Sequence, residues 1–198
     1  MGSDIRDRFE GAIGEHRLLE HPFYVAWREG SLPVEALATY AAEYGGFIGA
    51  VPEGWETVGN REHAAEERVH AIIWEAFARR LGTTVAAPRI DEVEHLLETA
   101  RRLFADPATA WGALYAFEAQ QPGTSEEKLK GLVDHYGFDA GEPAAEYFRI
   151  HAADYRETDE IVESLDATGP AAERAVTACG EMSVALWDAL SGVLAAHS

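Results

Sequence analysis

Three stretches of this chain set ionisable residues among apolar neighbours: His63, Glu67 and His70, then Glu118, then His151 and Asp154. In Glu67-Arg68-Val69-His70 a carboxylate and an imidazole stand three residues apart, so on a helix both project from one side. A Glu-x-x-His pair and a lone glutamate converging from different helices is how a helical bundle assembles a two-metal carboxylate site. Carboxylates are hard, charge-neutralising ligands and imidazoles tune the potential of the ion, so the chemistry expected is oxygen activation by iron or manganese. Metal ligands are accordingly sought among His63, Glu67, His70, Glu118, His151 and Asp154.

Each residue has a plainer reading. His63, Glu67 and His70 fall at i, i+4 and i+7, with Ile73, Trp74 and Phe77 continuing near that face, yet Arg61, Glu62, Glu66 and Arg68 also describe a solvated first half of a helix. Glu118 follows Trp111, Leu114, Tyr115 and Phe117 with no other charge since Asp106. If buried, it must be paired, protonated or metal-bound; alternatively it ends a helix and reaches solvent beside Gln120 and Gln121. A single histidine such as His151 is more often a core residue than a ligand. Asp154, three residues on, shares its face if the helix is unbroken, and Glu157 and Thr158 extend that side. Cys179 has no histidine near it in sequence, and there is no nucleophile elbow, phosphate-binding glycine loop or zinc-spaced cysteine pair.

The elements needed to position these groups are helices. Ile5, Phe9 and Ile13 mark a first amphipathic helix; Pro22 opens a second that ends at Gly30. A third runs from about Pro33 to Val51, with Gly45-Gly46 marking a kink or a close approach by a neighbour. Pro52 and Gly54 interrupt next. Helices are expected from about Arg61 to Leu81, closed by Gly82, and from Asp91 to Phe104. Another carries Trp111 to Glu118, Gln121-Pro122-Gly123 interrupts it, and Ser125 restarts the chain towards Gly137. Long helices follow from Pro143 to about Leu165 and from about Ala171 to Ala196. No run of β-branched alternation occurs, so the class is all-α, with residues 1–198 as a single domain.

Composition narrows the partners. The net charge is −19, from 35 acidic and 16 basic residues spread along the chain, which argues against nucleic acid and anionic membranes and leaves a small molecule as the substrate. No apolar run approaches ~20 residues, the N-terminal stretch is charged, and the one cysteine fits a reducing compartment, so the cytoplasm is expected. A homodimer is left open. Only two lysines occur, Lys128 and Lys130, close together.

These residues sit in a longer pattern. Leu19-Glu20-His21-Pro22-Phe23-Tyr24-Val25-Ala26-Trp27, then Gly30, Leu32, Tyr40 and Tyr44, resembles the opening of the heme-oxygenase-like metal oxidases, the superfamily of thiaminase II and pyrroloquinoline quinone synthase. Within it the match is to the family of the Chlamydia protein associating with death domains. His70 with Trp74, Phe77, Leu81 and Gly82 continues the likeness, as do Ala113-Leu114-Tyr115 with Glu118, Glu127-Lys128 with Gly131-Leu132, Tyr136-Gly137-Phe138, and Tyr147-Phe148 with His151. The resemblance covers about residues 18 to 165. It implies a seven-helix bundle, a dinuclear iron or iron/manganese site, and use of O2 to make p-aminobenzoate, a folate precursor. The family is thought to consume its own tyrosine and lysine; those positions fall on Tyr24 and Lys128, with Tyr40 matching a further tyrosine near them.

The chain departs from the family pattern at the metal. A glutamate expected seven residues before His70 is His63, with Glu67 one turn away as a substitute. The expected His-x-x-x-Asp-x-x-His becomes His151 with Tyr155 and Thr158, and Asp154 fits only if the helix shifts. One metal is therefore supplied by His70, Glu118 and His151, and the site is dinuclear or mononuclear. Two other functions stay open: a small-molecule amine or carboxylate oxygenase on the same fold, and a metal-free binding protein that has lost part of the ligand set.

Overall fold

Apolar residues at helical spacing dictate helices, and a computed structural model, which describes residues 2–152, 154–165 and 169–198, shows where proline, glycine and capping side chains divide them. The segments are α1 Gly2–Ile13, α2 Pro22–Arg28, α3 Val34–Glu43, α4 Gly45–Ile48, α5 Val51–Thr57, α6 Arg61–Arg80, α7 Asp91–Phe104, α8 Pro107–Glu118, α9 Gln121–His135, α10 Glu146–His151, α11 Arg156–Ser164 and α12 Pro170–Ala195. Two 3-10 turns, Leu18–Glu20 and Pro143–Ala145, complete the set, and no strand occurs among the described residues. The fold is the expected all-α bundle. Breaks within α3–α5, α8–α9 and α10–α11 raise the segment count above the seven expected. No described helix is long and apolar enough to cross a membrane.

The 26-residue α12 runs along α8 and α7, with α1 on its other side. The backbones of α8 and α12 touch at Gly112, where an added Cβ would stand 1.7 Å from the Ala175 carbonyl oxygen. Only glycine permits that approach. A second tight contact explains the expected kink: a Cβ on Gly45 would lie 2.7 Å from Val85 and 2.9 Å from the Trp74 indole nitrogen, which donates to the Ala41 carbonyl at 2.8 Å.

Three expected boundaries differ. Pro52 and Pro122 begin α5 and α9 rather than end a helix, because a first-turn proline gives up an N–H that has no intrahelical partner. The expected helix from Pro143 to Leu165 is broken between His151 and Arg156; Ala152 is extended (φ −63, ψ 120), and Ala153 lies outside the described residues. Asp154 ends the gap by accepting from the Arg156 backbone N–H at 3.1 Å.

Candidate functional site

The site is built on α6. Asn60 caps it, its side chain accepting from the His63 N–H at 3.1 Å, and Trp74 and Phe77 bury the far half of one face. That anchoring turns Glu67 inward, 3 % exposed, with His70 a turn later partly exposed. Helix α10 packs against α6 and brings His151 to them. Donor atoms of Glu67, His70 and His151 lie within 4.8 Å of one another, and the two imidazole rings are 4.5 Å apart.

Hydrogen bonds orient the three. His151 Nδ1 lies 2.6 Å from the Tyr147 carbonyl oxygen, which can only accept, so Nδ1 carries the proton and Nε2 the lone pair. Burial pushes the His151 pKa down to about 4, so the ring is neutral at neutral pH. His70 Nδ1 and Glu67 Oε1 are 2.8 Å apart; burial alone would lower the His70 pKa, but the Glu67 carboxylate outweighs it and raises it. Glu67 Oε2 and His151 Nε2 are both buried with no hydrogen-bond partner. Two buried acceptor atoms left without a partner are costly unless something binds them. Two imidazoles and one carboxylate make the donor set of a non-haem iron site, and these residues fit such an ion.

Glu67 and Glu118 were both expected as carboxylate ligands; Glu67 is the one whose oxygen lies within 4.8 Å of both imidazoles, and Glu118 stands outside that group. Glu118 is buried at the end of α8, where its Oε1 accepts from the Trp55 indole N–H at 3.4 Å. Burial, then the negative charges of Glu67 and Glu157, hold its carboxyl well above the usual carboxylate range.

Two expected ligands stand outside that group. His63 is on the correct face of α6 but two turns from His70, and its donor atoms lie within 4.8 Å of those of Glu66 and Glu157, a second set that could hold an ion. Its Nε2 is 2.7 Å from Glu160 Oε2 and its Nδ1 3.2 Å from Glu66 Oε2. Burial opposes the charge, but those carboxylates outweigh it and raise its pKa. Asp154 does not share a face with His151, because the chain leaves the helix between them. Its carboxylate instead grips the Arg156 guanidinium at 2.8–3.1 Å, which holds its pKa below the usual value. The same break re-phases α11 so that Glu157 points inward, with its carboxylate 3.9 Å from His63. No helical-phase argument across residues 151–157 could have found that.

A second group forms where α2, α3 and α9 meet. The Tyr24 and Tyr40 hydroxyls are 3.1 Å apart, and Lys128 Nζ donates to the Tyr40 hydroxyl at 3.4 Å. The amine stands 4.8 Å from the Tyr24 ring centre, 5.8 Å from that of Tyr40 and 5.7 Å from that of Phe148. All three expected residues are thus together and buried, Lys128 pointing inward rather than toward Glu126 or Glu127. Burial pushes the Lys128 pKa down to about 7, and burial raises both tyrosines. Phe148 and His151 are on the same short helix, so α10 joins this group to the metal-ligating one. Tyr147, part of the family match but given no role from sequence, ties them further: its ring packs 4.3 Å from His151 and 4.8 Å from Trp74, and its hydroxyl accepts from Gln121 at 2.7 Å. Trp74 in turn lies 5.5 Å from Tyr40.

Solved structures share this architecture. A TenA homologue from Pseudomonas syringae pv. tomato str. DC3000 superposes with a TM-score of 0.76 at 16% identity, covering 98% of this chain and 92% of its own. A TenA homologue from P. horikoshii OT3 gives 0.67 at 15% identity, covering 98% and 99%. The fold is therefore that of the TenA-like, heme-oxygenase-like helical proteins. No family model matches the chain. Curated proteins named 4-aminobenzoate synthase do align: one from Nitrosomonas europaea at 29% identity (96% of this chain, 90% of the relative), one from Chlamydia muridarum at 27% (98% and 92%), and one from Chlamydia pneumoniae at 31% (77% and 77%). The chain belongs to the 4-aminobenzoate synthase family.

Proposed function

We propose that this protein is a metal-dependent 4-aminobenzoate synthase (p-aminobenzoate is the same compound), an oxygen-dependent oxidoreductase that draws on its own Tyr24 and Lys128. The observation that carries the reading is the buried amine of Lys128 poised 4.8 Å from the Tyr24 ring centre, in a chain with two lysines, one helix away from two imidazoles and a carboxylate with unpartnered donor atoms. A redox-active ion held by Glu67, His70 and His151 would supply dioxygen activation. The neighbouring donors of His63, Glu66 and Glu157 would offer a place for a second ion.

The chain's own residues do the rest. Burial keeps the Lys128 amine near half-neutral at pH 7, and only a neutral amine attacks. A near-attack separation is ~3–3.5 Å to the reacting ring atom, and the amine stands 4.8 Å from the ring centre. The Tyr40 hydroxyl touches both Tyr24 and Lys128, giving a proton that leaves Tyr24 a path to the amine. Trp27, Phe77 and Phe148 wall the group and exclude water.

The test is to load the protein anaerobically with iron and reductant, admit oxygen, and look for 4-aminobenzoate together with loss of mass at Tyr24. Product formed equally well by Tyr24→Phe and Lys128→Arg variants rules out self-consumption and favours an external substrate. Protein that takes up no iron rules out the metal-dependent reading.

A further inference from the structure

A surface cleft abuts the reactive pair. It lies between the 3-10 turn at Leu18–Glu20, the junction of α8 and α9, and the start of α11, with a volume of about 240 Å³. Arg17, Glu20, Thr124 and Tyr155 line it, together with Leu19. Leu19 and Thr124 also line a narrow crevice whose remaining sides are Tyr24, Trp27, Glu127 and Lys128. The crevice is too tight to admit a water-sized sphere, so the cleft and the pair are neighbours without being connected.

Leu19 and Thr124 stand between them, and Leu19 is the apolar one on the turn. Its turn is tied to α8 and α9 by the Leu18 N–H donating to Gln120 Oε1 at 2.8 Å. It seats against Gly123, where an added Cβ would stand 3.3 Å from Leu19 Cδ1. A half-buried leucine on a three-residue turn can swing aside without disturbing a helix.

The cleft has the chemistry of one ligand class. Tyr155 presents an exposed ring and Leu19 an aliphatic edge, while Arg17 offers a guanidinium and the neighbouring Glu20 a carboxylate. In a chain of net charge −19 an anion needs such a cation to approach. Among the described residues the Arg17 guanidinium pairs with Glu10, at 3.0 Å with both side chains well exposed. Such a pair contributes little and is readily exchanged for another carboxylate. The volume exceeds the roughly 150 Å³ that holds a benzene ring. We propose that this cleft is a port for an amino-substituted aromatic carboxylate, closed from Lys128 and Tyr24 by the Leu19 side chain. The inference rests on the proposed function for its choice of ligand: such a molecule is either the product leaving or an external substrate arriving.

Reductive methylation with formaldehyde, read at each lysine by mass spectrometry, tests it. Lys130 is exposed and serves as the internal reference. Leu19→Ala should raise the Lys128 rate relative to Lys130 about tenfold and Leu19→Trp should lower it, because labelling follows the open population. General loosening of the fold cannot produce opposite signs. Saturating 4-aminobenzoate should protect Lys128 in the wild type, and Arg17→Gln should weaken that protection about tenfold through loss of a charge-assisted contact. Protection by 4-aminobenzoate alone marks the product's way out; protection by free tyrosine marks a substrate's way in. Either supports the port. Lys128 labelling that ignores both Leu19 substitutions, or that neither ligand slows, overturns it. A failure to make product on oxygen exposure, with the labelling pattern intact, removes the proposed function and leaves the port standing.

Discussion

Replacing Lys128 with methionine keeps an unbranched stem among Tyr24, Tyr40 and Phe148 and removes the amine. In the folded protein burial moves the Lys128 pKa from 10.5 to about 7, while the unfolded chain keeps the ordinary value. Below pH 7 both states carry the ammonium, and the folded state bears the whole cost of burying it. At ~1.4 kcal/mol per pH unit across that gap, the cost is about 5 kcal/mol. Between pH 7 and 10.5 the unfolded chain holds a proton that the folded one has shed, so wild-type stability rises with pH; above 10.5 both are neutral and the cost vanishes. The long 3.4 Å contact to Tyr40 is lost in the variant, taking back about 0.5 kcal/mol. Lys128→Met should therefore be more stable than wild type by about 4–5 kcal/mol at pH 6 and by about 1.5 kcal/mol at pH 9, and less stable by about 0.5 kcal/mol above pH 10.5. Urea unfolding of metal-free protein, followed by circular dichroism across that range, measures the gap. A variant less stable than wild type at pH 6, or a gap that does not change with pH, would refute the reasoning.

Other outcomes follow from the same geometry. His151→Ala should abolish iron binding measured by elemental analysis, whereas Asp154→Ala should leave it intact, since Asp154 serves Arg156, and cost at most about 1 kcal/mol as an exposed ion pair. In metal-free protein Glu118→Gln should raise the melting temperature more at high pH than at low. The folded-state pKa of Glu118 lies above its unfolded value, so its stabilising contribution holds at low pH and is lost as pH rises through the folded value. Equal effects at both ends would contradict the burial argument. Gly112→Ala places a methyl against the Ala175 carbonyl and should cost about 3 kcal/mol or more by chemical denaturation, an overpacking that backbone cannot relieve cheaply.

Much of the positioning could be read before the fold was known, and the particulars show why. Helix α6 is bounded by Asn60 and Gly82, and its inward face is set by Trp74 and Phe77; with both ends and the phase local, Glu67 and His70 had to emerge side by side. The same logic failed at His151 and Asp154, because phase carries only as far as the helix does. The break at residue 152 is made by a carboxylate turning back on Arg156, a choice that composition does not reveal. Glu157 was weighed there and not chosen for the same reason.

By itself, then, the sequence determined the all-α class, the span of most helices, the Glu67–His70 pair and the oddity of two lysines in an acidic chain, all of which depend on neighbours within a few turns. Its likeness to a family pointed to Tyr24, Tyr40 and Lys128. Tertiary structure alone decided that Glu67 comes within reach of the two imidazoles, that His63 gathers with Glu66 and Glu157, and that Lys128 lies against a ring 104 positions earlier in the chain. Those outcomes depend on how α6, α9 and α10 pack, and packing is settled by buried surfaces far apart in sequence, such as the backbone contact that Gly112 allows between α8 and α12.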